Sequence, residues 1–367
     1  MRVTLHIGLS ALVGGCAAAF VIQPLMIRVD ALATRIGEMA NQPQTTQTPP
    51  TTHTGTDVYL GLPIALRSGR ASPTIPVFRV DPKTASDELL FTQQSAAPAV
   101  ALTSDGWVVT SFAALQNTKL ADLAIGWKGR LYTPERGVRD TASGLAYLKI
   151  SANDLPPAAL ASALDVELGQ PVWLESMTQQ YAPNTLVRHG MATGSLATFS
   201  SDQWNRRYIL AHTSYAPFAS VWNERGQLVG FAESAKGEVM PAEAIRTALS
   251  SLLARGEIRR PSLGVRYVDV HDTYRRDQTA SAQTGALLRA EKTMAAVSPT
   301  SPAKQLLREG DIIDRIDRDI LDGTWTLAER VLTYLPGSTV ALSGTRAGAP
   351  LEVRITFQDV LTSEPLK

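Results

Sequence analysis

The sequence predicts a mainly β protein: many short strands forming a sandwich or a pair of barrels, then a smaller mixed α+β domain, behind an apolar N-terminal helix. Three observations carry this. Between about residues 57 and 240, short apolar runs alternate with Ser-Asp-Gly, Lys-Gly and Arg-Gly turns. From about 258 the texture is mixed, with strand-like and helix-like runs interspersed. Ahead of both, Val3 to Ile27 carries no charged residue other than His6 when protonated. A chain of 367 residues, 44% hydrophobic and 19% charged, has material for two folded domains with sizeable cores. A net charge of +1 and no basic stripe give nucleic-acid binding no electrostatic support.

Taken in order, the N-terminal run is as long as the roughly 20 residues that cross a bilayer. It predicts a membrane anchor over 1–30, with two alternatives. One is a cleaved signal ending at Ala17-Ala18-Ala19; the other is a lipidated Cys16 preceded by Val13-Gly14-Gly15. The apolar "FVIQPLMI" continuing beyond both points favours the retained anchor. All three place the bulk of the chain outside the cytoplasm. Cys16 is the single cysteine, so the folded part holds no disulfide, cysteine nucleophile or cysteine-based metal cluster. Residues 31–57 form a linker, and "NQPQTTQTPPTTHTGT" within it reads as a Pro- and Thr-rich spacer holding the folded body off the membrane.

Strands are expected at "TIPVFRV", "PAVALTSDGWVVTSFAAL", "LADLAIGWKGRLYTP", "GLAYLKI", "QPVWLES", "GMATGSLATF", "RYILAHTS" and "QLVGFAES". A helix follows at "PAEAIRTALSSLLARGE", where Ala244, Ile245, Ala248, Leu252 and Leu253 recur at helical spacing and Gly256 stands at the C-cap. Beyond it come strands "LGVRYVDV" and "GALLRA", a short helix "SPAKQLL", a strand pair "GDIIDRIDRDIL", a helix "TWTLAERVLTYL" and a closing hairpin "STVALSGTRAGAPLEVRITF".

Two resemblances emerge from these residues. Leu263-Gly264-Val265, Ser301-Pro302-Ala303 and Glu309-Gly310-Asp311-Ile312-Ile313 fall at the spacing of a bacterial PDZ domain, and the match spans nearly all of 260–358. "LTSDGWVVTSFAAL", "DTASGLAYLKI" and "WNERGQLVGFAES" resemble, in order, three framework segments of the trypsin-like domain of the HtrA/Deg serine proteases. The resemblance implies a trypsin-like double β-barrel over 58–256 and a PDZ domain over 257–360.

It also locates the catalytic positions. Acyl transfer of this type needs a serine hydroxyl, an imidazole base and an orienting carboxylate. By resemblance the histidine position is Ala113, and the aspartate position is Gly144, four residues after Asp140. The nucleophile position is Pro217 when counted back from the Asn223 turn, or Ser220 when counted forward from "YILAHTS". Around them, "YAPFAS" lacks the glycines that shape an oxyanion hole. No His/Asp/Glu cluster has metal-ligand spacing, and no cofactor is expected.

These losses predict a non-enzyme: a membrane-anchored, periplasmic HtrA-like protein that binds peptides as a scaffold or regulator. One alternative is an active serine endopeptidase using Ser220, with His212 as its base. Another is a structural component assembling as a homotrimer, as the resemblance implies. The expected partners are extended or C-terminal peptides of unfolded or partner proteins, and the membrane through the N-terminal helix, without nucleic acid. By resemblance Ser262, Leu263, Gly264 and Val265 form a carboxylate loop, Arg266 and Tyr267 open the strand edge beside it, and the helix over 324–335 supplies the other wall.

Overall fold

The computed structural model describes residues 62–67, 72–80, 89–176, 180–191, 198–213, 218–233, 237–271 and 284–367. All of them fall within one compact unit, Leu60–Lys367. The predicted anchor and linker, and Pro217, lie outside the described residues. Among the described residues no helix is long and apolar enough to cross a membrane.

The first sheet is built from β1 (Thr74–Arg79), β2 (Ala97–Ala101), β3 (Trp107–Ser111), β4 (Leu123–Trp127), β5 (Arg130–Tyr132), β6 (Arg136–Asp140) and β7 (Leu145–Lys149). All its pairings are antiparallel, in the order β6-β7-β3-β2-β1-β4-β5. Every residue of β2 and β3 is buried, which their continuous small and β-branched composition anticipates. Gly106 makes the turn between them at φ +114°, where an added Cβ would lie 2.0 Å from the Ile150 carbonyl oxygen. "FAAL", expected to continue a strand, is instead a single helical turn, α1 (Phe112–Leu115), ended by Gln116 at φ 50°.

The second unit of sheet is a closed barrel. Its strands are β8 (Pro171–Glu175), β9 (Tyr181–Met191), β11 (Arg206–Leu210), β12 (Ser220–Trp222), β13 (Leu228–Ala232) and β14 (Glu238–Pro241), in the order β11-β14-β13-β12-β8-β9. The intervening β10 (Phe199–Ser200) leaves the barrel and pairs elsewhere. Between the two sheets, Val100, Trp107, Tyr147, Trp222, Phe231 and Met240 share one core, on which helix α2 (Glu243–Arg255) packs. Burying each large apolar side chain there contributes roughly 1.5–3 kcal/mol. Helix α2 buries Ala244, Ile245, Ala248 and Leu252 as its spacing predicts, while Leu253 points outward. Gly256 closes it in the left-handed region, its N–H donating to the Leu252 carbonyl.

After β15 (Arg259–Ser262), which lies outside it, the third sheet is formed by β10 together with β16 (Arg266–Asp269), β17 (Ala286–Leu288), β18 (Ile312–Ile316), β19 (Asp319–Ile320), β20 (Thr339–Arg346) and β21 (Ala349–Thr356). Its order is β10-β16-β17-β18-β20-β21, with β19 on β18. Helix α3 (Leu327–Thr333) packs Leu327, Ala328 and Val331 against its core and begins with a capping box of Thr326 and Glu329. "SPAKQLL" is a run of turns, in which the Ser301 hydroxyl accepts from Ala303 N–H and donates to the Leu263 carbonyl. That local side-chain bonding competes with helix formation. Two strands the sequence did not suggest, β22 (Gln358–Leu361) and β23 (Ser363–Pro365), run back from this sheet. β22 pairs with β15, and β23 adds to the free edge of β6 in the first sheet.

Candidate functional site

The positions singled out for catalysis occupy three different environments. Ala113 lies exposed on α1. Gly144 ends the turn before β7 at φ +73°, its N–H donating to the Asp140 carbonyl. Ser220 begins β12 and is 0% exposed. Its hydroxyl lies 3.2 Å from Thr74 Oγ1 and accepts from Trp222 Nε1 at 3.0 Å. Phe218, two residues earlier, holds φ +66° and donates its N–H to the Ala232 carbonyl, so that amide is already committed. His212 is exposed beyond β11, where its backbone exchanges hydrogen bonds with the Asn184 side chain. The proposed pairing of His212 with Ser220 therefore joins a surface residue to a sealed one.

Ser220 belongs instead to a buried polar cluster centred on Glu175, at the end of β8. Thr74 Oγ1 donates to Glu175 Oε2 at 2.5 Å, and Ser72 Oγ donates to Oε1 at 2.8 Å. Burial pushes the Glu175 carboxyl above its ordinary range, and the hydrogen bonds from Thr74 and Ser72 offset only part of that. The cluster ties β1 of the first sheet to β8 and β12 of the barrel.

Asp140, upstream of the Gly144 turn, has a structural assignment of its own. It is 0% exposed and paired with Arg260 Nη2 at 2.6 Å, and Ser143 Oγ and Thr362 Oγ1 also donate to it. Arg260 in turn donates to Thr247 Oγ1 and the Ala244 carbonyl on α2. The Asp140 carboxylate is thus already engaged by Arg260, Ser143 and Thr362. Above that turn a cavity of about 400 Å³ is lined by Ser143, Gly144, Phe199, Trp204, Arg207 and Glu233. Arg207 Nε and Glu233 Oε2 close one side at 2.6 Å.

The positions expected to bind peptide, Ser262 to Tyr267, span the end of β15, the loop after it and the start of β16. Leu263, Val265 and Tyr267 bury their side chains in the core of the third sheet, and the backbone of Leu263 and Val265 bonds to residues 201–202. Gly264 adopts φ +68°, and a Cβ there would meet Ser301 Cβ at 2.8 Å, so glycine is required twice over. The amides of Leu263 and Gly264 both donate to Asp202 Oδ1, at 3.0 and 3.2 Å. Ser262 Oγ donates to Asp202 Oδ2 at 2.6 Å. Leading to Asp202, β10 runs antiparallel to β16, pairing Phe199 with Tyr267 and Ser200 with Arg266. Ser201 N–H then donates to the Val265 carbonyl at 2.9 Å. Helix α3 stands on the other side of Tyr267, whose hydroxyl accepts from Ala328 N–H. This region is also bolted to the barrel by Arg206, which donates to the Gly323 and Thr324 carbonyls and pairs with buried Glu329 at 3.4 Å.

Sequence reading found the loop from Gly264 and its neighbours but not Asp202, Arg206, Arg260 or Glu175. The one local hint was chemical: Arg206 and Arg260 stand in short strands that are mostly buried. Their partners lie far away in the chain, so no spacing rule reaches them.

No protein-family model matches the chain. Over 128 residues it is 32% identical to the periplasmic pH-dependent serine endoprotease DegQ of Escherichia coli, an alignment covering 35% of this chain and 27% of the relative. It is 22% identical to a probable periplasmic serine endoprotease DegP-like from Halomonas elongata, over 70% of this chain and 55% of the relative. A serine protease Do-like HtrA of Lactobacillus helveticus is also 22% identical, over 69% of this chain and 65% of its own length. The chain thus spans less than two thirds of each of these relatives. Among solved structures, the HtrA-type protease AlgW with tripeptide superposes at a TM-score of 0.53 and 17% identity, covering 81% of this chain and 97% of that one. The same protease with decapeptide gives 0.52 at 17% identity, with the same coverage. The barrel and open sheet therefore carry the HtrA protease fold. The expectation of a non-enzyme is overturned by the same findings, because the curated relatives are described as serine proteases or endoproteases.

Proposed function

We propose that this chain, which is related to the HtrA/Deg-type trypsin-like serine proteases, is an extracytoplasmic protein of that kind whose C-terminal region, 257–360, is a PDZ-type peptide-binding domain. The apolar run at 3–27 would anchor it in the membrane, with the folded part on the periplasmic side, the compartment named in the descriptions of two relatives. One observation supports the peptide reading above others: two amides and a hydroxyl of residues 262–264 converge on a single carboxylate. Charge-assisted bonds of this type are the stronger class of hydrogen bond, and an extended chain already runs along β16 toward them. A peptide carrying a free C-terminal carboxyl offers the same two features. In a binding titration of the full chain, amidating such a peptide's C-terminus should abolish binding. Gly264→Ala should weaken it by about tenfold or more, since the loop can no longer keep its φ or its distance from Ser301. Equal binding of acid and amide forms would withdraw the proposal.

The relatives' descriptions carry a second reading, serine-type endopeptidase activity. A fluorophosphonate probe tests it on the full chain. Labelling lost in Ser220→Ala would place the nucleophile on Ser220, through an opening of β12 that frees its hydroxyl from Thr74 and Trp222. Labelling retained would place it on another hydroxyl, and no labelling would remove the reading.

A further inference from the structure

We infer that residues 198–202 are an internal ligand of the C-terminal groove: Asp202 takes the carboxylate position, and an incoming peptide must displace it. The inference rests on the peptide-binding reading above and adds to it how the site is controlled.

The groove has one edge to offer. β16 pairs with β17 on one side, so its other side can accept a single added strand, and β10 already holds it. The same holds at the loop, where Leu263 N–H, Gly264 N–H and the Ser262 hydroxyl are all directed at Asp202. Ser201 completes the imitation, donating its N–H to the Val265 carbonyl and accepting from Val265 N–H through its hydroxyl. Upstream, Phe199 packs on the core of the third sheet with its ring 6.2 Å from that of Tyr267, and Thr198 Oγ1 donates to Glu291. A strand, a carboxylate and an anchoring aromatic are therefore present together. External peptide and internal segment cannot share these groups, so their occupancies exclude each other.

Geometry also indicates how the exchange can happen. Asp202 and residues 198–200 are half-buried, Ser201 between them is buried against the Val265 backbone, and Gln203 is exposed. Trp204, by contrast, is 3% exposed in the shared barrel core, and its N–H donates to the Ala142 carbonyl. The segment is thus fixed beyond Gln203 and held before it by groups that a peptide can replace one for one. Displacement lifts Phe199 from the margin of the third-sheet core and uncovers Ser201, but it leaves the core around Trp204 closed. Because the ligand is tethered, its effective concentration is high, and the apparent affinity for any external peptide falls by the fraction of time the groove is free.

The test uses the full chain and a decapeptide library with free C-termini. A peptide is first selected on the Asp202→Ala variant, and its affinity is then measured on variant and wild type. The expected result is binding about tenfold or more weaker to wild type, with the amidated peptide failing on both. Equal affinity for the two proteins overturns the internal ligand and leaves the peptide-binding groove standing. Failure to select any carboxylate-dependent peptide on the variant overturns both. Hydrogen exchange on the wild-type chain provides an arm without substitution. Saturation with the selected peptide should accelerate exchange of the Ser201 amide, whereas the amidated form should not. Unchanged exchange at saturating peptide would show that the segment stays in place, contrary to the inference.

Discussion

Arg260→Met is expected to destabilise the folded unit by about 3–5 kcal/mol, measured by urea unfolding at neutral pH. The substitution keeps most of the side-chain volume and removes only the charge and its donors. Asp140 is then left 0% exposed with no cation beside it. In the wild type, burial alone would raise the Asp140 carboxyl. The Arg260 charge and the hydrogen bonds from Arg260, Ser143 and Thr362 outweigh that and hold it below the ordinary value of 3.8. A carboxyl depressed in the folded state stabilises above its unfolded value, and that stability is lost as pH falls through the folded one. Wild-type protein should therefore lose this contribution only below about pH 4. In Arg260→Met the desolvation is opposed only by the Ser143 and Thr362 hydrogen bonds, so the carboxyl rises and the sign reverses: mild acidification from neutrality should recover stability. Adding Asp140→Asn should restore much of the loss at neutral pH, because the uncompensated charge and not the missing pair carries the cost. A loss under 1 kcal/mol, or one that grows on mild acidification, would contradict this account.

Arg206→Met is expected to cost about 3 kcal/mol at neutral pH, and less near pH 5. Here too the pair is buried, with Arg206 and Glu329 each 6% exposed. The electrostatics differ, however. Burial raises the Glu329 carboxyl, and Arg206 with the Thr326 hydrogen bonds offsets only part of it. A carboxyl raised in the folded state contributes stability that is present below its unfolded value of 4.5 and declines as pH rises through the folded one. Once Arg206 is gone, Glu329 can take up a proton more readily than Asp140 can, which limits the penalty. The remaining loss is the Gly323 and Thr324 carbonyls that Arg206 capped. Because the pair joins β11 to α3, hydrogen exchange should quicken at 323–329 before the barrel strands are affected. Uniform acceleration across the barrel would indicate a different origin for the loss.

How much of this was legible in the sequence divides along physical lines. Local patterns held: the buried face of α2 follows Ala244, Ile245, Ala248 and Leu252, and Gly264 announces a backbone position that only glycine fills. "SPAKQLL" was misread because apolar spacing over one turn is a weak signal, and the Ser301 hydroxyl diverts the backbone into turns. β22 and β23 are not legible because "QDVL" and "SEP" are only four and three residues long, and they form on the partners they meet. The internal ligand was out of reach for a related reason: Asp202 and Gly264 are 62 positions apart, and nothing local in "TFSSD" distinguishes a groove occupant from an ordinary turn. The three catalytic positions were located on resemblance, and the fold then supplied what spacing could not, a sealed Ser220 and an Asp140 engaged by Arg260.

β23 has one more consequence, for assembly over time. The edge of the first sheet is completed by residues that follow it by more than two hundred positions, as the contact between Asp140 and Thr362, 222 apart, marks. A nascent chain bearing only the N-terminal strands would leave the β6 edge open, with its N–H and C=O groups unpaired. Closure must await the arrival of 363–365, an expensive loop to form before its contacts exist. The order of synthesis and the order of completion therefore run in opposite directions: the part made first is the part finished last.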